Sequence, residues 1–334
     1  MLLPLLDDLK REKGLVEDLE VLLIDNASTD GSVQAAEKAH PWIRVIALKE
    51  NLGYAGGCNK GIEKSSGEWV WLLNDDVRLD EGVVNEMLKV GHSAPDIAAI
   101  QPKILALKKP GFFEYAGGAG GMMDMYGYPF TLGRIGGAVE EDKGQYDTSR
   151  EIFWASGTAC LWKKSTLDAI GYLDDSFFAH MEEIDLAWRA WISGWRVFSA
   201  PSGVVHHLGG GTLNYQSWKK MYLNHRNSLT TLVKNSSRKN CLWLLVARFL
   251  MDNGIGFGEL IQGRPSRITA IWAGWFGFLR GLKTTINKRK NVQLMRTRSD
   301  ADVRKIMYRN SILFAYIKGV RSVSQLVALM RSKA

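Results

Sequence analysis

A short apolar segment that ends in two aspartates is the first feature that could do chemistry. Residues 69–73 read WVWLL and stop at Asn74-Asp75-Asp76. So short an apolar run predicts a buried central strand, and ligands of α/β sheets collect beyond the carboxyl ends of such strands. Adjacent carboxylates repel each other unless a cation lies between them, and their oxygens suit Mg²⁺ or Mn²⁺ on a diphosphate. Alternatively, Asp75 and Asp76 begin a turn and cap the helix predicted at 80–90.

A second acidic cluster lies at the start of another predicted helix. Glu182, Glu183 and Asp185 fall within four positions, and Arg189 follows one turn later. The helix dipole favours negative charge at this end, so capping accounts for one or two of the three carboxylates. A third, if it is desolvated, would have its pKa raised toward that of a working general base. The alternative is a solvated charged face.

Two histidines stand close behind the strand predicted at 195–200. His206 and His207 precede the glycines at 209–211. A histidine there suits a metal ligand beside a flexible anion-binding loop. A histidine is also commonly structural, and that alternative stays open.

The elements that must position these groups alternate at short spacing. The expected strands are at 19–24, 43–48, 69–73 and 97–104, and the expected helices are at 1–13, 33–39, 59–65 and 80–90. Polar loops at 25–32 and 50–59 follow the first two strands. Alternation of this kind predicts a doubly wound, mostly parallel sheet.

Two later segments are less regular. Residues 111–144 are rich in glycine and aromatic residues, which predicts irregular or hairpin structure, either as a lid over a pocket or as a merely flexible loop. A strand predicted at 152–161 is interrupted by Ser156-Gly157, where the missing side chain would let a ligand approach the backbone.

Composition indicates a globular protein of one large or two modest domains. The chain has 334 residues, of which 46% are hydrophobic and 23% charged. Its three cysteines, Cys58, Cys160 and Cys241, have neither disulfide nor zinc-site spacing, so we expect a reducing cytosolic setting. No signal peptide and no uninterrupted spanning segment is evident.

Charge is divided unevenly along the chain. Residues 214–334 carry 23 Lys and Arg against 4 Asp and Glu, whereas residues 1–213 are net acidic. The apolar bursts at 241–251 and 268–279 are too short to span a membrane comfortably. Together with the cations they predict interfacial helices on an anionic leaflet. Nucleic acid is disfavoured because no such module is visible, and a helical subdomain that packs on the core or forms a homodimer remains an alternative.

Five motifs in order carry a resemblance that no single one does. They are Asp25-Asn26-x-Ser28-x-Asp30-Gly31-Ser32, Asn51-x-Gly53-x-Ala55-x-Gly57-x-Asn59, Leu73-Asn74-Asp75-Asp76, Glu182-Glu183-x-Asp185-Leu186-x-x-Arg189 and His207-x-Gly209-Gly210-Gly211-Thr212-Leu213. In this order they resemble the family 2 glycosyltransferases of GT-A fold, and within them the rhamnosyltransferase-like branch. The resemblance covers residues 5–235.

The resemblance implies a role for each motif. Asp76 and His207 would ligate a divalent metal, Mg²⁺ or Mn²⁺. Glu183 would deprotonate the acceptor hydroxyl, with Glu182 as its substitute and Asp185 as the third member of the catalytic set. The nucleotide sugar would be bound by Asp25, Asn26, Ser28, Asp30, Asn51, Gly53, Gly57, Asn59, Asp75 and Arg189.

Two features depart from the family pattern. Glu183 stands where the family often has aspartate, which lengthens the base by one methylene. The family's first strand, and the Tyr-Asn after it that walls the nucleotide pocket, have no counterpart before Met1. We therefore expect an α/β fold, a GT-A-like doubly wound mixed sheet without its first strand, followed by a C-terminal helical region.

These inferences predict an inverting, metal-dependent glycosyltransferase. It would move a sugar, with L-rhamnose as a candidate, from a nucleotide-diphosphate donor to a cell-surface polysaccharide or a lipid-linked (polyprenyl-linked) glycan acceptor. Residues 1–213 would form the nucleotide-sugar domain and residues 214–334 a basic helical region on the anionic membrane surface. The protein would be cytoplasmic and peripheral to the inner face of the cell membrane. The alternative is a catalytically silent membrane-bound partner in a glycan-assembly complex.

Overall fold

A computed structural model describes residues 1–209 and 217–326. The first part of the chain alternates helix and strand: α1 (Leu2–Leu15), β1 (Leu22–Asp25), α2 (Ser32–Ala39), β2 (Arg44–Ala47), α3 (Gly53–Lys64), β3 (Trp69–Leu73), β4 (Val77–Leu79), α4 (Val83–Gly91) and β5 (Ile97–Ala106). Most of these elements lie close to their predicted bounds. The exceptions are α3, which begins at Gly53 within the segment predicted as a loop, and β4, which has no predicted counterpart.

The middle part contains short strands and then the second acidic motif. Its elements are β6 (Gly121–Met123), β7 (Pro129–Thr131), β8 (Arg134–Ile135), β9 (Ala138–Val139), β10 (Ala159–Lys163), α5 (Lys164–Ile170), a 3₁₀ turn (Asp175–Phe177), α6 (Glu182–Ile192) and β11 (Arg196–His207). The remaining described residues form α7 (Trp218–Asn235), α8 (Arg238–Ile261), α9 (Pro265–Arg280), α10 (Leu282–Leu294), α11 (Asp300–Val303) and α12 (Ile312–Ile317).

The central sheet has five strands in the order β3-β10-β5-β11-β4. Only β5 and β11 pair in parallel there, so the sheet is mixed, and the expectation of a mostly parallel sheet is wrong. Alternation of helix and strand does not report direction, and β10 and β4 both run opposite to their neighbours. β1 and β2 form a separate parallel pair, and within the described residues no strand joins the two sheets.

The segment predicted as a central strand, β3, lies at one end of this sheet. It reads as uniformly apolar because its two faces contact two different cores. Val70 and Leu72 pack with α6 on one face. Trp69, Trp71 and Leu73 pack with α1 and α4 on the other. A strand covered on both faces needs no polar side chains, whatever its position in the sheet.

Helix α1 secures the turn that carries Asp75 and Asp76. Its Asp8 accepts hydrogen bonds from the Arg78 guanidinium at 2.6 and 2.8 Å. Its Glu12 accepts the amides of Gly82, at 2.6 Å, and Val84, at 3.1 Å, and so caps α4. Because a carboxylate of α1 already fills that role, the capping alternative for Asp75 and Asp76 is not what the structure shows.

The glycine-rich segment folds into a four-stranded antiparallel sheet, β6-β7-β8-β9. Buried Tyr128, Phe130 and Ile135 of this sheet pack against Ile312 and Ala315 of α12. The basic C-terminal region is therefore in contact with the middle of the chain. The predicted domain boundary at 213–214 falls outside the described residues and stays a prediction.

Helix α8 is longer than the apolar segment predicted at 241–251. It has 24 residues, and among the described helices it alone is long and apolar enough to cross a membrane, by length and composition only. The expectation that this segment is too short to span is wrong in that respect, because Asp252 and Asn253 continue the helix beyond Met251.

Candidate active site

The start of β4 and the end of β11 bring an aspartate and a histidine together. β4 pairs antiparallel with β11, with His207 opposite Val77 and His206 opposite Arg78. The Nε2 atom of His207 lies 3.1 Å from Oδ1 of Asp76. His206 points to the other face, where its Nε2 lies 3.0 Å from Oδ1 of Asp80. Strand alternation thus separates the two histidines that the sequence leaves side by side.

A second carboxylate contacts the same imidazole. Oε1 of Glu114, which is buried, lies 3.4 Å from Nδ1 of His207. Burial alone would lower the pKa of His207, but Asp76 and Glu114 raise it to about 9. Within the described residues, neither Oδ1 of Asp76 nor Nδ1 of His207 has a well-aligned hydrogen bond, although both are buried. Such atoms are commonly completed by a ligand.

A divalent cation fits this pair. The 3.1 Å between Oδ1 of Asp76 and Nε2 of His207 is close to the roughly 3 Å between adjacent ligands of an octahedral Mg²⁺. Within residues 1–209 and 217–326, no three His, Cys, Asp or Glu side chains form a metal-binding group. Two protein ligands would leave positions for diphosphate oxygens and water, as Mg²⁺ usually requires. Glu114, on the other ring nitrogen, would orient the imidazole.

Asp75 lies at the surface next to this pair. The pKa of its carboxyl is raised, first by partial burial and then by the neighbouring charge of Asp76. The pKa of Asp76 itself is lowered, because contact with His207 outweighs its burial. A bound cation would relieve the repulsion between the two carboxylates.

The N-terminus of α6 presents two glutamates that, in the part of the chain that the structure describes, each have one carboxylate oxygen without a hydrogen bond. Glu182 is buried and Glu183 is half-buried, and Oε2 of each has no hydrogen bond within the described residues. Burial raises the pKa of Glu183 to about 7, and burial and the nearby Glu183 raise the pKa of Glu182 well above its usual range. The raised pKa of Glu182 favours its neutral form, and Glu183 titrates in the range useful for a general base.

Lys220 of α7 connects the two acidic groups electrostatically. Burial lowers the pKa of its ammonium, and the carboxylates of Glu114 and Glu183 both act to raise it. Charges influence one another in this way only at short range. Lys220 is therefore close to Glu183 and to Glu114, the buried carboxylate beside His207.

The backbone before α6 adopts a strained conformation. Phe178, His180 and Met181 have φ angles of 65°, 70° and 74°, which non-glycine residues rarely adopt. The side-chain amide of Asn227, on α7, donates to the carbonyls of this loop: Phe177 O at 3.2 Å, Ala179 O at 3.0 Å and His180 O at 2.8 Å. Strain of this kind persists where surrounding contacts fix it, and here it determines how the two glutamates project.

Two turns shape the edge where β1 and β2 end. Oδ1 of Asp25 accepts the amide of Ser28 at 2.8 Å, and Oδ1 of Asp30 accepts the amide of Ser32 at 3.0 Å. Ser28 and Asp30 are exposed. These bonds define the loop after β1, and nucleotide contacts by Asp25, Ser28 and Asp30 stay predictions.

The neighbouring loop is fastened by asparagines. Asn26 accepts the amide of Leu52 at 2.9 Å and donates to Gly53 O at 3.0 Å. Oδ1 of Asn51 accepts the amide of Gly53 at 2.9 Å. Gly53 has φ +73°, and a Cβ there would lie 2.4 Å from the carbonyl oxygen of Phe178. Gly57 likewise leaves room for Asn26, so the first two motifs and the strained loop before α6 pack as one unit.

Three predicted site residues have structural partners instead. Asn59 pairs with the backbone of Leu173 through both ends of its amide, at 2.8 and 3.0 Å. Arg189 donates to three carbonyls at the end of α5 and to Asp185. Asp185 is fully buried and also accepts from Lys234 and Asn235, each at 2.9 Å. Their side chains are engaged in these internal contacts, and the nucleotide contacts of Asn59 and Arg189 and the catalytic role of Asp185 stay predictions.

The space beside Gly157, the expected point of ligand approach to the backbone, is filled by the side chain of Tyr54. The hydroxyl of Tyr54 donates to Gly157 O at 2.6 Å, and a Cβ on Gly157 would lie 2.7 Å from it. The expected ligand approach at this glycine is replaced by a close packing contact.

Two functional candidates escaped the sequence patterns. Glu114 lies in the glycine-rich segment, and Asn227 lies on a helix 44 positions after Glu183. Glu114 belongs to no motif. Asn227 lies in the helix at 214–235 that the resemblance covers, but the resemblance assigns it no role, because it acts through a long-range contact. Four of the residues in the last predicted motif, Gly210, Gly211, Thr212 and Leu213, lie outside the described residues.

The chain is similar in sequence to known glycosyltransferases. A family model described as "Glycosyl transferase family 2" matches residues 1–116. The chain is 30% identical over 215 residues to N-acetylglucosaminyl-diphospho-decaprenol L-rhamnosyltransferase of Mycobacterium tuberculosis (strain ATCC 25618 / H37Rv), covering 58% of this chain and 68% of the relative. It is 26% identical over 261 residues to the low-salt glycan biosynthesis hexosyltransferase Agl10 of Haloferax volcanii, covering 77% and 74%.

A solved structure shows the same fold. The crystal structure of S. aureus TarS 1-349 superimposes with a TM-score of 0.50 at 13% identity, covering 96% of this chain and 88% of that one. The mixed sheet followed by helices is thus the architecture of GT-A glycosyltransferases. With a relative at 30% identity matched over 68% of its length, the chain belongs to glycosyl transferase family 2 and is a glycosyltransferase.

Proposed function

We propose that this enzyme transfers a sugar, with L-rhamnose as the first candidate, from a nucleotide-diphosphate donor to a lipid-linked glycan, with inversion at the anomeric carbon. The observation that carries the proposal is the pairing of Asp76 with His207. Glu183 and Glu114, which contacts His207, both act on the charge of Lys220. The donor and acceptor classes come from the M. tuberculosis relative, whose name specifies L-rhamnosyl transfer to a diphospho-decaprenol carrier. The reaction would take place at the inner face of the cell membrane.

Each proposed role follows from the residue's surroundings. Asp76 and His207 would hold Mg²⁺ or Mn²⁺, which when bound neutralises charge on the departing diphosphate. The loops at Asp25–Ser28 and Asn51–Gly53 line the end of β1 and β2, where a nucleotide would bind. Asp75, at the surface of this edge, would lie beside the diphosphate.

Glu183 would perform the proton transfer. Its carboxylate takes the proton of the acceptor hydroxyl while that oxygen forms a bond to the anomeric carbon. The bond from the anomeric carbon to the diphosphate oxygen breaks on the opposite side, and the electron pair leaves with the diphosphate. The configuration inverts, and Glu183 then releases its proton to solvent. No covalent intermediate with the protein is required.

The first experiment is a transfer assay over several donors. Thymidine, uridine and guanosine diphosphate sugars would be supplied with Mg²⁺ or Mn²⁺ and a prenyl diphosphate that carries N-acetylglucosamine. We expect metal-dependent transfer from one donor, an inverted product by NMR, and loss of turnover in Asp76→Asn. Asp80→Asn, which pairs with His206 on the other face, is the matched control and should remain active.

Two outcomes would contradict the proposal. A product that retains the donor configuration excludes direct attack by the acceptor. No transfer from any donor by a folded sample, together with no nucleotide binding by calorimetry, would favour a catalytically silent partner in a glycan-assembly complex.

A further inference from the structure

Helix α8 has its polar side toward the protein. Its buried stripe consists of Leu244, Arg248, Asp252 and Gly256. Asp252 is enclosed by donors: the hydroxyl of Tyr128 at 2.7 Å, the indole of Trp275 at 3.0 Å, and the Arg248 guanidinium at 3.6 Å. The partners that an ionic pair needs are therefore supplied by the protein interior.

The outward side of the same helix is apolar. Leu242, Leu250 and Ile261 are 72%, 66% and 87% exposed. On α9, Phe276 is 67% exposed. The other large exposed apolar side chains of the two helices are Trp243, Val246, Phe249, Phe257, Leu260, Trp272 and Leu279. A contiguous apolar surface of this kind marks an interaction site rather than ordinary surface.

Helices α8 and α9 form one antiparallel unit. The ring of Phe249 packs edge-on against Trp275 at 5.3 Å, and Trp272 donates to Asn253 at 3.1 Å. Further along, Gly256 allows Ile268 to approach closely. As position increases along α8, the partner position decreases along α9. The outward apolar residues of both helices therefore belong to one surface, which we call the lipid face: Leu242, Val246, Phe249, Leu250, Phe257, Leu260, Ile261, Trp272, Phe276 and Leu279.

Cations lie at both ends of the lipid face. Arg238 and Lys239 begin α8, and Arg280 ends α9 at the same end of the pair. Arg264 and Arg267 lie at the turn, where both contact Glu259 at 2.9 Å. From residue 238 to residue 280 the acidic residues are Asp252, which is buried, and Glu259. An apolar face bordered by positive charge complements an anionic bilayer.

We propose that the lipid face inserts into the boundary between headgroups and acyl chains of an anionic bilayer, with α8 and α9 lying along the surface. A spanning orientation would expose the buried stripe of α8 to lipid, which its ion pair disfavours. A second copy of this chain is a less suitable partner for the lipid face. A two-fold symmetric contact would bring the cations of one copy next to those of the other. The inference is independent of the proposed reaction, since it is tested without substrate.

Vesicle co-sedimentation of the full chain tests it. Vesicles of equal phosphatidylglycerol and phosphatidylcholine should bind the protein, and pure phosphatidylcholine vesicles should bind it more weakly. The double variant Leu250→Glu with Phe276→Glu should reduce the partition coefficient by about tenfold or more, because both side chains leave the apolar layer and add charge. Its melting temperature should stay near that of the parent, since both side chains are exposed.

Leu15→Glu is the matched control. Leu15 is an exposed leucine, 46% exposed, near the end of α1 and far along the chain from the lipid face. This variant should bind vesicles like the parent. Equal vesicle binding by parent and double variant would overturn the proposal. So would a dimer by analytical ultracentrifugation that the double variant converts to monomer while neither protein binds vesicles, because the lipid face would then be a protein interface.

Discussion

At the scale of residues, the two glutamates at the start of α6 differ in their protonation. Both are removed from water, which penalises the charged form of a carboxylate. Glu182, the more buried, has its pKa raised well above its usual range, which favours its neutral form, whereas the pKa of Glu183 is raised to about 7. A working base must lose its proton near the operating pH, so Glu183 is the better suited of the two.

Substitution of each glutamate by glutamine should separate these roles. Glu183→Gln should lower kcat by about 10²-fold to 10⁴-fold, the usual contribution of a general base. Glu182→Gln replaces a group whose raised pKa favours the neutral form and should retain activity within about tenfold. Because unfolding would let Glu182 ionise, its replacement should also raise the melting temperature at neutral pH. Steady-state kinetics and thermal unfolding check both. The reverse order of activities would move the base to Glu182.

The assignment of Glu183 as the general base also predicts how kcat depends on pH. The carboxylate form of Glu183 becomes dominant as pH rises through its pKa of about 7. The rate should therefore rise between about pH 6 and about pH 8 and then level off. A rate profile for kcat on the parent, with the metal saturating at every pH, measures this. A profile that is flat through this range would contradict the assignment of Glu183.

The two neighbouring histidines provide an internal comparison for the metal. His207→Gln should weaken Mn²⁺ binding in the presence of nucleoside diphosphate by at least about tenfold, because the ligand beside Asp76 is lost. His206→Gln changes a side chain on the opposite face, beside Asp80, and should bind Mn²⁺ like the parent. Isothermal titration calorimetry measures both. Equal weakening in the two variants would show that neither histidine is a specific ligand.

At the scale of elements, α7 holds the loop that precedes α6 and its two glutamates. Its Asn227 is fully buried and bonds to three carbonyls in a loop of unfavourable φ angles. Arg226 adds contacts from its guanidinium to Ser176 O and Phe177 O, each at 3.1 Å. The projection of Glu183 from α6 therefore depends on a helix that follows the sheet in sequence.

Asn227→Asp should impair the chemical step more than binding. The substitution keeps the shape of the side chain but turns a carboxylate toward three carbonyl oxygens, which would move the loop. A displacement of about 1 Å near the reacting groups can cost roughly 10²-fold in rate. We expect kcat to fall by about that factor, with the KM for the donor nearly unchanged.

The control for this variant is Asn240→Asp on α8. Asn240 donates to Asp300 at 2.6 Å, so the new carboxylate would also meet repulsion, but away from the loop. It should lower the melting temperature without changing kcat by more than a few fold. If both variants lose activity in proportion to their stability, Asn227 has a structural role only.

At the scale of the whole molecule, a buried ion cluster joins α6 to the helices that follow it, α7 and α10. The ammonium of Lys234, on α7, lies 2.6 Å from Asp174 and 2.9 Å from Asp185. Lys288, on α10, also contacts Asp174. Although burial would raise the pKa of Asp174, these ammonium groups hold it well below its usual range. The cluster contributes stability above the ordinary carboxyl pKa and loses it as pH falls.

Lys234→Met should therefore destabilise the whole protein. It removes the cation that bridges two buried carboxylates and leaves Asp174 with Lys288 and Asp185 with Arg189. Loss of one partner of a buried ion pair typically costs about 3–5 kcal/mol. Because the cluster spans both predicted domains, we expect one cooperative unfolding transition that moves to lower temperature, and no separate transition for residues 214–334. Calorimetry checks this. Lys305→Met, which removes an exposed ion pair with Asp302, should have little effect. Two transitions in the parent would show that the regions unfold independently.

The sequence by itself determined the order of most elements and the end of β3, just before Asp75 and Asp76. It did not determine the end of β11, which is predicted at 200 and lies at His207. Hydrophobic periodicity is a local property, so β3, α4 and β5 lie close to their predicted bounds. The sequence also indicated the family, because its five motifs occur in the order that the family has. These features depend on neighbours within a few positions, which a sequence displays directly.

Only the tertiary structure decided how individual charges are used. Asp185 and Glu183 are two positions apart, yet one is paired with Lys234 and the other has an oxygen without a partner. Asn59 and Arg189 matched the motifs but bond to backbone, and Asn227 matched none but holds the loop before α6. The tertiary structure also decided the orientation of α8, whose apolar side faces outward. The role of a polar group is set by its partners and its access to water, and distant parts of the chain supply both.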